Sequence, residues 1–362
     1  MLRLALLGTC IVGSVALIGG RPIGFREMRV GLSQTGLPKD TPASTTRLSF
    51  DSAIAEASQL SRLRSLLISI DGALVEEHYF HGAAATRPTN VKSVSKSVMA
   101  LLVGIAVDRG DIRGIDDPIS RYLPASSGAV GDKGGITVEA LLTMRSGLET
   151  TSNRNYGRWV QSGNWVRHVL QRPWMDESAD GRMIYSTGNS HVLSAILTAA
   201  TRMSTLEFAR RYLGAPLGIP IRVWTRDPQG IYLGGNEMSF TSRELIAIGQ
   251  LYLDGGRRGD RQIVSERWVR DSIQPRARSE RRADRYYGYG WWIREMAGEP
   301  VFYAWGFGGQ FIFVAPERKA IIVTTSVPDP GDDRREQRDA VEDLVQYRIL
   351  PAIARVAPNS AR

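Results

Sequence analysis

Segments with the pattern of β-strands lie near both ends of this chain, and mostly helical patterns fill the stretch between them. Near the first end, Ser65–Ile70 and Ala73–Phe80 flank an Asp-Gly dipeptide at residues 71–72, which suits a tight type I′ hairpin turn. A second hairpin is predicted at Gln310–Val314 and Ala320–Thr325. Strands at both ends with helices between them predict an α+β fold, in the broad α/β class, with a helical insertion.

The helices of the middle and of the tail are predicted from their patterns of apolar residues and from signals at their ends. Gly110 follows the first of them directly and is a typical stop signal. The helical segments are expected at Val98–Arg109, Val138–Met144, Asn189–Thr201 and Arg335–Val356.

The start of the chain has the pattern of an export signal. Residues 2–20 are apolar or small apart from Arg3, so residues 1–24 are predicted as a secretory signal peptide. Residues 2–20 are also long enough to remain as one membrane anchor, and a buried N-terminal helix is a further alternative. We therefore expect an exported protein, periplasmic or anchored to the cytoplasmic membrane. A Gly-, Pro-, Ser- and Thr-rich linker is predicted at residues 25–46, and the folded domain at residues 47–356.

The composition excludes several classes of protein. A chain of 362 residues with 43% hydrophobic and 23% charged residues is typical of globular proteins. The single Cys excludes a disulfide scaffold and a cysteine zinc site, and four His leave little room for a His-rich metal centre. Arginine supplies 41 of the 46 basic residues, and the densest basic stretch, residues 276–285, also contains acidic residues. No metal, organic cofactor or nucleic acid is expected as a partner.

The segment from Lys92 to Val103 is the most informative for chemistry. If it opens a helix, Ser93 and Lys96 lie on one face about one turn apart. The backbone N–H groups at the helix start would then favour an oxyanion near Ser93. Burial of Lys96 in an apolar helix would lower its pKa and let it act as a neutral base toward the serine hydroxyl. The alternative from these residues alone is a capping serine with a lysine that extends to solvent.

Several ordered blocks of sequence give this pair a context that the four-residue motif lacks by itself. They extend from about Arg47 to Ser326. The blocks are residues 77–82, Ser93–Lys96, residues 110–112, 116–118 and 122–124, Ile136–Leu148, Tyr185, residues 216–219, residues 287–292 and Gly306–Gln310. Together they resemble the serine β-lactamase/penicillin-binding-protein superfamily, in its class C-like branch of esterases and aminohexanoate-oligomer hydrolases.

The resemblance implies a fold and a set of site residues. The fold would be β-lactamase/transpeptidase-like, with an antiparallel sheet flanked by helices and a helical lobe beside it. The resemblance assigns Ser93 as the nucleophile, Lys96 as its base and Tyr185 as the phenol that passes a proton to the leaving group. A tyrosine beside an ammonium group can have a lowered pKa, which would suit that role. An ordinary buried aromatic residue is the alternative for Tyr185.

Two of the family's motifs depart from their usual form. Thr187 stands where the family's Tyr-x-Asn motif has asparagine, which is closer to the aminohexanoate-oligomer hydrolases. The stretch Ala304–Gln310 aligns with the family's third motif, which normally has Lys or His, then Thr or Ser, then Gly. This stretch carries no cation. Because that cation helps to bind the carboxylate of penicillins and D-alanyl peptides, its absence lowers the expectation of those activities.

The glycines of this third motif would let a substrate approach the strand backbone closely. The resemblance implies an oxyanion hole formed by the backbone N–H groups of Ser93 and Phe307. Gly306, Gly308, Gly309 and Thr187 would complete the substrate-binding residues. The alternative is that these glycines form a tight bend with no contact to substrate.

Other constellations were weighed against the serine–lysine pair. His78 and His81, three residues apart on an expected strand, point to opposite faces and do not suit a shared metal. His168 and His191 lie on expected helices without an adjacent carboxylate pattern, so a Ser-His-Asp triad is not favoured. The acidic pairs at residues 76–77 and 116–117 are expected to be surface or capping groups rather than a glycosidase pair.

The sequence thus predicts a serine hydrolase that acts on small carboxylic esters or amides through a Ser-Lys-Tyr acyl-enzyme mechanism. A cell-wall D-alanyl-D-alanine carboxypeptidase or a β-lactamase is the alternative enzyme. A non-catalytic penicillin-binding-like receptor is the alternative from another class of protein.

Overall fold

The computed structural model describes residues 49–123, 130–176 and 181–354. The described residues do not include the predicted signal peptide or anchor (1–24) or the predicted linker (25–46). They also do not include residues 47–48 and 355–356, the first two and the last two residues of the predicted domain. None of the described helices is long and apolar enough to cross a membrane.

The strands follow the two predicted hairpins closely and add others between them. Within the described residues they are β1 Leu63–Ile70, β2 Ala73–Tyr79, β3 Thr89–Asn90, β4 Ser239–Phe240, β5 Arg257–Arg258, β6 Arg261–Gln262, β7 Ala277–Arg278, β8 Tyr286–Tyr287, β9 Trp292–Met296, β10 Glu299–Gly306, β11 Gln310–Ala315 and β12 Ala320–Ser326.

The helices concentrate in the middle of the chain and at its C-terminal end. Within the described residues they are α1 Asp51–Gln59, α2 Ser95–Asp108, α3 Val138–Leu142, α4 Tyr156–Val160, α5 Trp165–Leu170, α6 Thr187–Thr201, α7 Thr205–Ala209, α8 Ala215–Leu217, α9 Ser242–Leu253, α10 Glu266–Ser272, α11 Arg334–Leu344 and α12 Leu350–Ala354. Wider helical turns at Arg210–Gly214 and Val345–Ile349 connect α7 to α8 and α11 to α12.

The main sheet joins the two ends of the domain. In the described part of the chain it has eight strands in the order β2-β1-β12-β11-β10-β9-β8-β7. The early strand β1 pairs antiparallel with the late strand β12, with Leu67 opposite Val323. The predicted α+β architecture with an antiparallel sheet is therefore confirmed. Both predicted hairpins, β1–β2 and β11–β12, are present.

Alternating side chains of the sheet bury two separate apolar layers. Along β11, Phe311 and Phe313 face α1, α11 and α12, whereas Ile312 and Val314 face the layer that contains α2 and α9. This alternation is what a strand buried on both faces requires, since successive side chains point to opposite sides. The sheet therefore lies against the N-terminal end of α2, where the predicted nucleophile is located.

A buried ionic cluster fixes α11 to the sheet. Glu342 of α11 accepts hydrogen bonds from Arg285 at 2.6 Å and from Arg294 at 2.9 Å, and Arg285 also donates to the Tyr303 hydroxyl. The three charged side chains are each at most 10% exposed. Removing one partner would leave a buried charge uncompensated, so the cluster orients α11 strongly.

Candidate active site

Ser93 lies in a single turn of 3₁₀ helix, Lys92–Val94, that leads directly into α2. The helix begins at Ser95 rather than at the serine itself, and the preceding residues 89–90 form β3. Lys92 has a left-handed backbone (φ 52°), and its N–H donates to Asn90 Oδ1 at 2.9 Å. This tight turn leaves Ser93 half-buried at the head of an apolar helix, as the sequence predicted.

Lys96 is buried one helical turn further on, with 2% of its surface exposed. Within the described residues its amine donates to three oxygen atoms: Ser93 Oγ at 2.9 Å, Thr187 Oγ1 at 3.3 Å and the Gly235 carbonyl at 2.7 Å. The predicted nucleophile and base are therefore within hydrogen-bond distance of each other. Such a contact is the geometry that a general base requires.

Burial lowers the pKa of Lys96 to about 7, because removing an ammonium group from water disfavours its charged form. The sequence predicted this direction from the apolar character of α2. Near neutral pH a large share of the lysine is then a free amine, which is the form that can accept a proton from Ser93.

Tyr185 lies beside the same pair of residues. Its phenol lies close enough to the Ser93 side chain for Ser93 to lower its pKa, and the Lys96 amine is 5.0 Å from the centre of its ring. The ring stacks on Trp292 at 5.7 Å and meets Tyr287 edge-on at 6.0 Å. These contacts hold the phenol next to the serine hydroxyl.

The pKa of Tyr185 differs from the expected direction. Burial raises it above the usual value for a phenol, so the prediction of a lowered pKa was wrong. The physical reason is that desolvation of the phenolate raises the pKa more than the neighbouring Ser93 side chain lowers it. Tyr185 therefore stays protonated at neutral pH, as a phenol that can donate a proton.

Thr187 occupies the first turn of α6, and its hydroxyl accepts a hydrogen bond from the Lys96 amine at 3.3 Å. Ser152 supports it: the Ser152 hydroxyl accepts the Thr187 backbone N–H at 2.8 Å and lies 2.9 Å from Thr187 Oγ1. The neighbouring Thr151 hydroxyl accepts the Gly188 N–H at 2.9 Å. The loop at residues 151–152 thus caps α6 and orients Thr187, a role that the sequence did not reveal.

The third motif forms the turn between β10 and β11. Gly306 pairs with Gln310, and a Cβ on Gly306 would lie 2.2 Å from the Val91 carbonyl, so β10 lies directly against the segment that carries Ser93. Gly308 and Gly309 have φ of 86° and 105°, values that favour glycine. Phe307 lies between Gly306 and Gly308, and 37% of its surface is exposed.

Two arginines of α11 lie on the aromatic residues of this turn. The guanidinium carbon of Arg338 is 5.6 Å from the centre of the Trp305 ring, and that of Arg334 is 5.8 Å from the Phe307 ring. Arg338 also forms an ion pair with Asp339. The third motif itself carries no cation. Two arginines of α11 nevertheless place positive charge beside its aromatic residues.

The histidines lie apart from this site or beneath it. His78 pairs with Glu76 at 2.7 Å, whereas His81 lies beyond the end of β2 rather than on the strand as expected. His191, on α6, pairs with Asp227 at 3.1 Å, although the sequence suggested no carboxylate partner for it. Across residues 49–123, 130–176 and 181–354, no group of His, Cys, Asp and Glu side chains is arranged to hold a metal ion.

The comparisons with known proteins agree with this geometry. Residues 64–346 match the model of the β-lactamase family, which is more than half of the chain. The chain belongs to the β-lactamase family. It is accordingly a serine hydrolase with the amide- and ester-hydrolysing chemistry of that family.

The chain is also similar to individual known proteins, in sequence or in fold. A 6-aminohexanoate-dimer hydrolase from Paenarthrobacter ureafaciens is 26% identical over 281 residues, which cover 71% of each chain. The octameric penicillin-binding protein homologue from Pyrococcus abyssi superposes with a TM-score of 0.66 at 18% identity, over 86% of this chain and 78% of that one. EstCE1, a hydrolase with promiscuous acyltransferase activity, superposes with a TM-score of 0.65 at 18% identity, over 81% and 98% of the two chains.

Proposed function

We propose that this protein hydrolyses small carboxylic esters or amides through an acyl-enzyme on Ser93, with Lys96 as the base and Tyr185 as the proton donor. The observation that carries the proposal is the 2.9 Å contact between the buried Lys96 amine and Ser93 Oγ. The lowered pKa of Lys96 supports its role as a base near neutral pH.

Acylation begins when Ser93 Oγ attacks the carbonyl carbon of the substrate and its proton passes to the neutral Lys96 amine. The tetrahedral intermediate then loses its leaving group, an alkoxide or amine, which needs a proton. Tyr185 supplies that proton, because its raised pKa keeps it protonated and its hydroxyl lies beside Ser93. The ammonium of Lys96 lies 5.0 Å from the Tyr185 ring centre and returns a proton to the phenol.

Deacylation follows the same path in reverse. A water molecule takes the place of the leaving group, gives one proton to the Lys96–Tyr185 pair and attacks the acyl carbon. The carbonyl–Ser93 bond then breaks, and Ser93 Oγ regains a proton from Lys96. No metal or organic cofactor takes part in either step.

The negative charge on the carbonyl oxygen needs donors that are fixed before the reaction. We assign this role to the backbone N–H groups of Ser93 and Phe307. A Cβ on Gly306 would lie only 2.2 Å from the Val91 carbonyl oxygen. The backbone before Phe307 and the backbone before Ser93 therefore run side by side, which supports the assignment.

The substrate class follows from the relatives and from the motif at β10. The curated relative acts on the 6-aminohexanoate dimer, an amide, which supports amide as well as ester substrates here. The third motif has Trp305-Gly306 where a lysine or histidine would hold a penicillin carboxylate, so we rank ester and amide hydrolysis above β-lactam hydrolysis. Export is proposed on the apolar segment of residues 2–20 alone.

The test uses p-nitrophenyl esters and p-nitroanilides of short acyl chains, with a fluorophosphonate probe that labels activated serines. The wild-type protein should turn over and be labelled, and Ser93→Ala should lose both. Tyr185→Phe should retain labelling of Ser93 but lose about 100- to 10,000-fold in turnover. Ser58→Ala, an exposed hydroxyl on α1, is the control and should behave as the wild type.

Activity that persists in Ser93→Ala would contradict the proposal. Rapid acylation by a fluorescent penicillin would instead favour the β-lactamase or carboxypeptidase alternative. Tight ligand binding without turnover by the wild type would favour a receptor.

A further inference from the structure

A buried histidine–aspartate pair lies next to the active site without touching the reacting groups. His191, one turn beyond Thr187 on α6, has its Nε2 3.1 Å from Asp227 Oδ2, and neither side chain is exposed. The His191 ring packs edge-on against Trp159 and Trp165. A buried carboxylate is costly unless its oxygens are hydrogen-bonded, so His191 holds Asp227 firmly in place.

Asp227 opens a compact loop, residues 227–235, which we call the Asp227 loop. Its Oδ1 accepts the backbone N–H groups of Gln229 at 2.9 Å and Ile231 at 2.8 Å. The Ser194 hydroxyl of α6 donates to the Tyr232 carbonyl at 2.6 Å. The shape of the loop and its attachment to α6 thus depend on the same few polar side chains.

The far end of the Asp227 loop reaches the base. Gly234 lies so close to α6 that a Cβ there would be 1.9 Å from the Ser190 carbonyl. The next residue, Gly235, presents its carbonyl to the Lys96 amine at 2.7 Å. The position of this carbonyl is therefore set by how the loop is fixed on α6.

The direction of the Lys96 lone pair depends on that carbonyl. A neutral amine has two N–H bonds and one lone pair, and the lone pair must face the Ser93 hydroxyl to accept its proton. The Gly235 carbonyl can only accept, so it takes one N–H bond, and Thr187 Oγ1 at 3.3 Å can take the other. When the amine is neutral and both N–H bonds go to these acceptors, its lone pair takes the remaining direction, toward Ser93 Oγ at 2.9 Å.

We propose that His191 and Asp227 are positioning residues for hydrolysis: they fix the Asp227 loop on α6 so that the Gly235 carbonyl directs the Lys96 amine toward Ser93. This proposal rests on the proposed roles of Ser93 and Lys96. It extends the site to a pair of residues that contact neither the substrate nor the reacting atoms.

The test compares His191→Phe, which fills the space without an N–H donor, with His191→Gln, which keeps a donor near the position of Nε2. Val345→Ala, behind the sheet and far from α6 in the fold, is the control for a general loss of stability. For each folded protein the rate of fluorophosphonate labelling of Ser93 is measured from pH 5 to 9. In this reaction the Ser93 oxygen forms a bond to phosphorus, fluoride leaves, and Lys96 accepts the proton.

We expect His191→Phe to slow labelling at pH 7 by about 10- to 100-fold, since small displacements of a catalytic group are costly. The acid limb of the His191→Phe pH profile should move to higher pH by about one unit, because access of solvent to Lys96 raises its pKa. His191→Gln should recover most of the rate, and Val345→Ala should keep the wild-type profile despite a lower Tm.

An unchanged rate and profile in His191→Phe would overturn the positioning role while leaving the proposed function intact. Equal impairment of His191→Gln would show that the ring shape, not the donor, matters, and would also overturn it. If His191→Phe and the smaller His191→Leu fail to fold while His191→Gln folds, the pair serves stability and the proposal is wrong. Absence of labelling in the wild type would refute the proposed function itself.

Discussion

Burial acts in opposite directions on the two titratable residues of the site. It lowers the pKa of Lys96 to about 7 and raises the pKa of Tyr185, because in both cases the uncharged form is favoured. Near neutral pH a large share of Lys96 is therefore a free amine, and it stands beside a protonated phenol. A base and an acid thus stand next to Ser93.

This arrangement predicts how activity depends on pH. The protonated lysine cannot accept the serine proton, so kcat/KM should rise with pH through a midpoint near 7 and level off above it. Because the pKa of Tyr185 is raised, ionisation of the phenol should cause no decline up to about pH 9. The measurement is the pH profile of kcat/KM on a neutral p-nitrophenyl ester.

The control for that profile is Thr187→Val, which removes one acceptor of the Lys96 amine but keeps the shape of the side chain. We expect Thr187→Val to have a lower kcat/KM that still rises from acid to neutral pH. A profile of the wild type that is flat between pH 5 and 9 would contradict the role of Lys96 as the titrating base.

Single residues also mark the limit of what the sequence reveals. Ser93, Lys96 and Tyr185 were predicted because their spacing and surroundings form recognisable motifs. Gly235 and Ser152 were not, since a backbone carbonyl and an ordinary serine leave no pattern in the sequence. Nor could the pairing of His191 with Asp227, 36 residues later, be inferred from neighbouring letters.

At the scale of elements, the longer strands and helices were predicted best. The hairpins β1–β2 and β11–β12 and the helices α2 and α6 agree with their patterns to within a few residues. Short strands such as β7 and β8 were missed, because two residues show no alternation. Their place is decided by tertiary contacts: β8 pairs with β9, and β7 pairs with β8.

The contact between β10 and the segment before Ser93 yields a prediction at this scale. Gly306→Ala would place a methyl group 2.2 Å from the Val91 carbonyl, so β10 and the nucleophile turn would have to separate. We expect kcat/KM to fall on the order of 100-fold, with a lower Tm. Steady-state kinetics and thermal unfolding measure the two effects.

Gly114→Ala is the matched control, since a Cβ at Gly114 meets no other atom within 4 Å. It should keep the activity and Tm of the wild type. If Gly306→Ala were as active as this control, the close approach of β10 would have no part in binding the carbonyl oxygen.

At the scale of the whole molecule, the sheet makes the domain indivisible. Residues near both ends meet in it, as Leu63 pairs with Ser326 and β1 lies between β2 and β12. Contacts between such distant residues form slowly, since a long loop must close before they stabilise the fold. The helical lobe is inserted between these strands, and the active site lies where the two parts meet.

The last prediction concerns the boundaries of this domain. A chain of residues 47–356 should fold with the Tm and kcat/KM of the full chain, because the described core begins with Phe50 and α1. A chain of residues 47–333 should fail to fold, because it lacks α11, which carries Glu342 to the buried Arg285 and Arg294. Circular dichroism, thermal unfolding and ester turnover distinguish these outcomes. Loss of folding in the 47–356 chain would contradict the predicted boundaries of the domain.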